Sequence, residues 1–170
     1  MRVILITGDG KGKTTSAMGM VLRAVGHGLR VCVVQFIKKD CDTGEAKSLR
    51  SLPGVELHIC GNGFVFKLEG KEYQQHVECA QRGMALIRQK IAEGFDLFVL
   101  DEICGAVSLG LVKVESVLEL LAVAGENTSF IWTGRNASEK LIDRADTVSS
   151  VECVKHGFDQ GLPAQKGIEN

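Results

Sequence analysis

A glycine-rich segment directly after a short apolar run constrains the fold of this chain more than any other feature. The apolar run is Val3–Thr7, the sequence Gly-Asp-Gly-Lys-Gly-Lys-Thr-Thr occupies residues 8–15, and helical periodicity begins at Lys13. A strand, a glycine-rich turn and the start of a helix together form a phosphate-binding loop, because backbone N–H groups and the helix dipole then point at the same anion. We therefore expect a nucleotide-binding α/β fold.

This loop supplies most of the predicted nucleotide-binding residues. Lys13 is expected to place a mobile positive charge on the phosphates, and the Thr14 hydroxyl is expected to ligate Mg²⁺. Thr7 occupies the position at which the general pattern has glycine, so a glycine-rich turn without function is the alternative. The predicted binding residues of the loop are Gly8, Asp9, Gly10, Lys11, Gly12, Lys13, Thr14 and Thr15.

A second candidate element is an apolar strand that ends in two carboxylates. Residues 97–100 are followed by Asp101 and Glu102. In a parallel sheet these side chains would lie beside the phosphate loop, where they can hold Mg²⁺ or Mn²⁺, or the water around the ion. The predicted metal ligands are therefore Thr14, Asp101 and Glu102, with Asp101 in a structural or water-mediated role. Solvent-exposed carboxylates at the end of a strand are the alternative.

Short apolar runs alternate with segments of helical periodicity along the whole chain. The predicted strands are 3–7, 31–36, 55–60, 97–100, 129–132 and 147–154, and the predicted helices are 13–25, 71–93, 114–124 and 138–145. Such alternation predicts βαβ units, and the continuous apolar strands predict burial on both faces. We expect residues 1–170 to form one P-loop NTPase-like α/β domain, with a mostly parallel, twisted sheet and helices on both faces.

Composition and charge restrict the partners and the compartment. A formal net charge of −1 gives no indication of nucleic acid or a membrane as a partner. The apolar run at 3–6 is far shorter than a membrane span and lacks the cleavage site of a signal peptide, so we expect a cytoplasmic protein. The six cysteines, at positions 32, 41, 60, 79, 104 and 153, form no CxxC pair. They are predicted to be reduced and mostly buried, with a zinc site as the alternative.

Several further motifs occur along the chain together with the loop at residues 8–15. They are Arg-Ala-Val-Gly-His-Gly at 23–28, Val-Gln-Phe-Ile-Lys at 34–38, Val-Leu-Asp-Glu at 99–102, Thr-Gly-Arg at 133–135 and Asp-Arg-Ala-Asp-Thr-Val at 143–148. Their order and spacing resemble the P-loop family of ATP:corrinoid adenosyltransferases nearly from end to end. Residues 154–159 and 164–168 also resemble the ending of this family, whereas their composition alone predicts a loose tail.

The resemblance implies a reaction in which Co(I) of a reduced corrinoid, cob(I)alamin, attacks C5′ of ATP and expels triphosphate. Lys13, Thr14 and Glu102 would then be the catalytic residues, because the loop and Mg²⁺ would stabilise a triphosphate leaving group. The resemblance also implies that ATP binds in reverse, with its γ-phosphate where other P-loop proteins hold the α-phosphate. It further implies a homodimer and a reductase that supplies the electron for Co(I).

An aromatic pair is the predicted contact with the corrinoid. In the family this pair displaces the lower axial ligand of the cobalt, which makes reduction to Co(I) easier. The matching segment here is Gly-Asn-Gly-Phe-Val-Phe at 61–66, so the resemblance assigns this role to Phe64 and Phe66. Phe66 stands where the family usually has tryptophan. The alternative is that both rings are ordinary core residues at the edge of a strand.

Two arginines complete the predicted binding residues. Arg135 follows the strand at 129–132 and is expected to contact the triphosphate or the corrin side chains, with a solvent-exposed turn as the alternative. Arg23 lies near the end of the first predicted helix. It is included as a binding residue, although a cation in that place can simply cap the helix.

Two features depart from the family and two rival functions stay open. Residues 39–45 lack the Trp-Pro expected before Gly44 and Glu45, and the chain begins directly at the first strand, where well-known members have an N-terminal extension. How the corrinoid is covered therefore stays open. The rivals are a P-loop small-molecule kinase and a non-catalytic nucleotide-binding module. A kinase of this size would need an arginine-rich lid, and no arginine occurs between Glu102 and Thr133.

Overall fold

A parallel sheet forms the centre of the molecule. The computed structural model describes residues 1–39 and 42–168. Within them the strands are β1 (Val3–Thr7), β2 (Val31–Gln35), β3 (Val55–Ile59), β4 (Leu97–Asp101), β5 (Ser129–Thr133) and β6 (Thr147–Ser150). These six pair in the order β3-β2-β4-β5-β1-β6, and every pair is parallel. The predicted P-loop NTPase-like α/β class is confirmed.

The central strands are buried because helices cover both faces of the sheet. Every residue of β2 and β4 is buried, as their continuous apolar sequences predict. Strand β6 lies at the edge, and all four of its residues are exposed. The register pairs Gln35 with Asp101 at the carboxyl ends of β2 and β4. Polar side chains therefore follow the apolar runs at the edge of the sheet where ligands bind in this class of fold.

Helices lie on both faces, as expected. They are α1 (Lys13–Gly26), α2 (Gly44–Ser51), α3 (Gly70–Ala92), α4 (Ile103–Ser108), α5 (Val114–Val123) and α6 (Glu139–Arg144). One apolar cluster packs α1 and α2 against one face of the sheet, with Val21 and Val99 among its members. A larger cluster packs α3, α4, α5 and α6 against the other face and contains Trp132, which is fully buried. No helix of the described residues is both long and apolar enough to cross a bilayer.

The sequence prediction is wrong where it omits α2 and α4. Helix α2 has only two buried residues, Ala46 and Leu49, so its apolar periodicity is weak. Its start is marked instead by Thr43, whose side chain accepts a hydrogen bond of 3.3 Å from the backbone N–H of Ala46. Helix α4 has six residues, which is too short for a helical period to be read.

The last strand is shorter than predicted, since β6 ends at Ser150 rather than at residue 154. The chain leaves the sheet at this point because Val151 bonds to the phosphate loop. Its carbonyl accepts from the N–H of Gly10 at 2.8 Å, and its own N–H donates to the carbonyl of Thr7 at 2.8 Å. The other predicted elements differ from the observed ones by about one residue at their ends, which is the usual uncertainty of helix and strand boundaries.

The five described cysteines are all free thiols. Cys32 and Cys104 are fully buried, and burial raises the pKa of each thiol to about 12. Cys60 and Cys79 are half-buried and Cys153 is exposed, so the prediction of buried thiols holds for the first two only. The sixth cysteine, Cys41, and its neighbour Asp40 lie outside the described residues.

Candidate active site

The phosphate loop is held in place by the segment that follows β6. A Cβ atom added to Gly10 would lie 2.5 Å from the carbonyl oxygen of Glu152, so only glycine allows the two backbones to approach this closely. The loop ends at Gly12, whose φ of 112° lies in the left-handed region, and α1 begins at the next residue. The loop is therefore a fixed cradle between β1 and α1, as the sequence predicts.

Lys13 lies across this cradle. Its ammonium group donates a hydrogen bond of 2.7 Å to the carbonyl of Gly10, and the residue is buried. Burial lowers the pKa of Lys13, and the neighbouring Arg135 lowers it further, whereas Glu102 and Asp9 act in the opposite direction. Lys13 thus sits among charges of both signs, in a position from which its ammonium can turn to a bound phosphate.

Asp101 is the centre of a hydrogen-bond network beneath the loop. The carboxylate is fully buried. Its Oδ1 atom accepts from the hydroxyls of Thr14 and Thr133, each at 2.8 Å. Its Oδ2 atom accepts from the side-chain amide of Gln35 at 2.9 Å. Asp101 therefore holds the Thr14 hydroxyl, which supports the structural role expected for this carboxylate.

Gln35 and Thr133 complete this network, although neither is among the predicted site residues. Two signals could have identified them: each lies within a motif of the family resemblance, and each is a polar residue at the carboxyl end of a buried apolar strand. Gln35 is 3% exposed and Thr133 is fully buried. A buried amide and a buried hydroxyl need hydrogen-bond partners, and Asp101 is the partner of both.

Glu102 is placed differently from Asp101. It directly precedes α4 with a φ of 61°, an uncommon value for a residue with a side chain, and its N–H donates to the hydroxyl of Thr133 at 2.9 Å. Its side chain is half-buried. Burial raises the pKa of the Glu102 carboxyl, and the charge of Asp101 raises it further, against the opposing effect of Lys13 and other cations. A divalent cation at this carboxylate would relieve both causes.

The residues present fit a hard divalent cation. Thr14, Asp101 and Glu102 offer a hydroxyl and two carboxylates, the ligand types that Mg²⁺ prefers. Across residues 1–39 and 42–168, no cluster of three or more His, Cys, Asp and Glu side chains has the arrangement of a metal site. A cation here would therefore depend on phosphate oxygens and water as well as on protein, which is usual for Mg²⁺ in nucleotide sites.

Arg135 joins the site from β5. Its guanidinium donates a hydrogen bond of 3.2 Å to the carbonyl of Asp9, and its Nε lies 3.8 Å from a carboxylate oxygen of the same residue. The Arg135 side chain is 62% exposed, so it lies over the phosphate loop with one side open to solvent. The structure thus brings the predicted Arg135 and the predicted loop together.

Arg23 is not brought to the loop. It lies in the last turn of α1, about 15 Å along the helix axis from Lys13. There it lines a groove of about 230 Å³ with Arg2, Leu97 and Ser129, at the amino ends of the strands. Its position within one chain gives no support to a role at the nucleotide.

The predicted aromatic pair is displayed to solvent. Phe64 is 78% exposed and Phe66 is 84% exposed, with their ring centroids 6.4 Å apart. Val65 between them packs against the apolar core, which orients both rings outward. The alternative prediction, in which both rings belong to the core, is wrong. Two exposed phenylalanines side by side form an apolar surface for which a ligand or partner is expected.

The loop that carries these rings is anchored beside the carboxylate network. A Cβ atom added to Gly61 would collide with the backbone of Ile37, and the N–H of Gly63 donates to the Ile37 carbonyl at 2.9 Å. Ile37 lies two residues after Gln35, which binds Asp101. The loop at 61–66, named here the aromatic loop, and the phosphate loop therefore lie at the same edge of the sheet.

Comparison with known proteins finds one family to which the whole chain is similar. A family model described as ATP:corrinoid adenosyltransferase BtuR/CobO/CobP matches residues 1–170. A corrinoid adenosyltransferase of Pseudomonas aeruginosa is 39% identical over 98% of this chain and 83% of its own length. The corrinoid adenosyltransferase CobA of Salmonella typhimurium is 38% identical over 98% of this chain and 84% of its own.

A solved structure is similar in fold alone. The flagellar accessory protein FlaH of Methanocaldococcus jannaschii superposes with a TM-score of 0.53 over 84% of this chain and 65% of that protein. At 12% sequence identity the likeness extends to the arrangement of strands and helices and not to the chemistry of the site.

Proposed function

The chain belongs to the ATP:corrinoid adenosyltransferase family, and from this premise we propose that it transfers the 5′-deoxyadenosyl group of ATP to the cobalt of cob(I)alamin with release of triphosphate. The observation that carries the proposal is the placement of two exposed phenylalanines, Phe64 and Phe66, at the same edge of the sheet as a complete phosphate loop. A phosphate loop alone supports many reactions, whereas an exposed aromatic surface at the same edge of the sheet suits a corrin macrocycle.

The proposed reaction displaces triphosphate from carbon rather than moving a phosphoryl group. An electron pair of Co(I) attacks C5′, the cobalt–carbon bond forms, and the C5′–O bond breaks with its electron pair passing to the triphosphate. Co(I) is a strong nucleophile, so no protein base is needed. The protein instead stabilises the charge that develops on the leaving oxygen, through preorganised N–H groups and cations.

Lys13 and Arg135 are the cations best placed for that stabilisation. Lys13 is held within the loop by the carbonyl of Gly10, and Arg135 lies over the loop at Asp9. Because both reach the cradle from fixed strands and helices, little reorganisation is needed when the leaving group becomes more negative. Bound Mg²⁺ would supply further neutralisation of the triphosphate charge.

The network around Asp101 supports different roles for the two carboxylates. Both oxygens of Asp101 already accept hydrogen bonds from Thr14, Thr133 and Gln35, so this residue orients the Thr14 hydroxyl and would reach a metal through water. Glu102 has no such set of donors at its side chain among the described contacts, and its raised pKa favours a cationic partner. We therefore assign the direct metal contact to Thr14 and Glu102.

Phe64 and Phe66 would contact the corrinoid on the face that bears the lower axial ligand. An apolar surface on that face disfavours the bound ligand, and loss of the ligand makes the reduction of Co(II) to Co(I) easier. The proposal extends, on the family resemblance, to a reductase that delivers this electron, to a homodimer and to the cytoplasm. The residue roles proposed above depend neither on the reductase, nor on the homodimer, nor on the compartment.

The phosphate product tests the proposal. Under strictly anaerobic conditions, the wild-type protein with MgATP and chemically reduced cob(I)alamin should release intact triphosphate in equal amount to adenosylcobalamin, as followed by phosphorus NMR. Lys13→Ala should abolish both products, whereas Lys140→Ala, which removes an exposed ion pair with Glu115, should not. Release of ADP in the presence of another acceptor would favour a kinase, and ATP binding without any product would favour a binding module.

A further inference from the structure

Lys38 lies where the nucleotide-binding residues and the aromatic loop meet. Lys38 comes shortly after the end of β2. Its neighbour Ile37 accepts a hydrogen bond at its carbonyl from the N–H of Gly63 in the aromatic loop. A Cβ atom added to Gly61 would collide with the Lys38 carbonyl as well as with Ile37. The backbone of Lys38 is thus fixed by close packing against the aromatic loop. Its side chain reaches toward Asp101 of the site.

The Lys38 ammonium is close to Asp101 without forming a hydrogen bond to it. The distance from Nζ to Oδ2 of Asp101 is 4.0 Å, which is beyond hydrogen-bond range. Asp101 is not left unsatisfied, because three uncharged donors already bind its two oxygens at 2.8 to 2.9 Å. The Lys38 side chain remains 31% exposed. Lys38 is therefore a partly solvated cation beside the site, and the carboxylate does not depend on it.

Lys38 is also one of three cations whose charge lowers the pKa of Glu102. Lys13, Arg135 and Lys38 come from the phosphate loop, the end of β5 and the end of β2, and each acts on the charge of the Glu102 carboxyl. Lys13 and Arg135 contact loop atoms directly. Lys38 lies instead beside Asp101, on the segment whose residue Ile37 holds the aromatic loop.

We propose that Lys38 is a further nucleotide-binding residue, whose ammonium binds an anionic oxygen of the bound polyphosphate at the end of the site nearest the aromatic loop. The inference rests on the proposed function and deepens it by adding a third cation to the triphosphate site. A polyphosphate carries several negative charges, and the ammonium of a lysine on a fixed backbone can bind one of its oxygens through a charge-assisted hydrogen bond.

Metal-free binding of inorganic tripolyphosphate separates this role from a structural one. With EDTA present, isothermal titration should show about tenfold weaker tripolyphosphate binding for Lys38→Met than for wild type, because a charge-assisted hydrogen bond is lost. Lys38→Arg should recover most of the affinity. Lys39→Met is the matched control, since Lys39 is the adjacent exposed lysine, and it should bind like wild type.

Two results would overturn the proposal. The first is metal-free tripolyphosphate binding by Lys38→Met that equals the binding by wild type. If tripolyphosphate affinity then fell only in the presence of Mg²⁺, Lys38 would act by supporting Asp101 and not by binding phosphate. Equal weakening in Lys39→Met would reduce the effect to general surface charge. Adenosylcobalamin formation by the wild-type protein is scored separately, so that failure of the proposed function cannot be mistaken for failure of the role of Lys38.

Discussion

The hydroxyl of Thr133, at the end of β5, donates a hydrogen bond of 2.8 Å to Oδ1 of Asp101, at the end of the neighbouring strand β4. The hydroxyl oxygen of Thr133 in turn accepts a hydrogen bond of 2.9 Å from the N–H of Glu102. One side chain therefore positions two consecutive carboxylates, the first by binding its side chain and the second by holding its backbone in a left-handed conformation. The end of the site at which we propose metal binding therefore depends on β5 as much as on β4.

Replacement of Thr133 by valine should damage both stability and activity. Thr133→Val removes a donor from a buried carboxylate and an acceptor from the N–H of Glu102, so the free energy of unfolding should fall by about 1–3 kcal/mol. Adenosyl transfer should fall as well, because Glu102 is no longer held. Urea unfolding and the anaerobic assay measure the two effects. Thr133→Ser keeps the hydroxyl and should retain most of both; equal damage in both variants would contradict this role.

A methyl group in the phosphate loop should prevent nucleotide binding. The added carbon of Gly10→Ala would lie 2.5 Å from the Glu152 carbonyl, so the loop would have to move away from its clamp and its N–H groups would lose their alignment. Titration with MgATP should show little or no binding. Gly19→Ala is the control, because this exposed glycine of α1 has free space around it. That variant should bind normally and gain about 0.5–1 kcal/mol of stability.

Replacement of Glu102 by glutamine should stabilise the protein at neutral pH while it lowers activity. Burial and Asp101 raise the pKa of Glu102 above the ordinary 4.5, so the ionised form costs stability. The cost is absent below the ordinary value and complete above the raised one. Glu102→Gln should therefore melt at a higher temperature than wild type at about pH 8. At about pH 4 the two proteins should melt at the same temperature.

An exposed glutamate serves as the comparison for that pH dependence. Lys140 lowers the pKa of Glu115 through a side-chain hydrogen bond, so ionised Glu115 contributes stability that is lost as the pH falls through its lowered pKa. Glu115→Gln should therefore melt slightly below wild type at neutral pH, the opposite sign to Glu102→Gln. A Glu102→Gln variant that is less stable than wild type at every pH would contradict the claim that ionised Glu102 costs stability.

Loss of the aromatic pair should affect the corrinoid and not the fold. Phe64 and Phe66 are both largely exposed, so removing either ring should change the free energy of unfolding by less than about 0.5 kcal/mol. Phe64→Ala and Phe66→Ala should retain ATP affinity but lose turnover of the corrinoid when Co(II) must first be reduced. Phe66→Trp keeps a planar apolar surface and should remain active. Full activity of the double alanine variant would exclude the aromatic loop from the site.

The parts of the site that are continuous in sequence are the parts that the sequence predicts. The segment from Gly8 to Thr15 and the carboxylates at 101 and 102 each follow an apolar strand, so their placement needs only local rules. Gln35 and Thr133 act through the strand order, because β2 and β5 become neighbours of β4 only in the folded sheet. No local pattern specifies that order.

The aromatic loop shows a second limit of sequence reasoning. Phe64 and Phe66 alternate with Val65, which fits a strand with two buried rings as well as a loop with two exposed rings. The structure selects the second arrangement because Gly61 and Gly63 bind the backbone after β2, and this turns Val65 toward the core. Such a contact between two chain segments cannot be inferred from periodicity.

Formation of the cobalt–carbon bond tests the central claim most directly. Wild-type protein is mixed anaerobically with MgATP and a stoichiometric amount of cob(I)alamin, and the absorbance of Co(I) is followed. We predict that this absorbance decays as a light-sensitive alkylcobalamin forms, and that the decay is absent in Lys13→Ala. Persistence of cob(I)alamin with the wild-type protein, under conditions in which ATP is bound, would contradict the account.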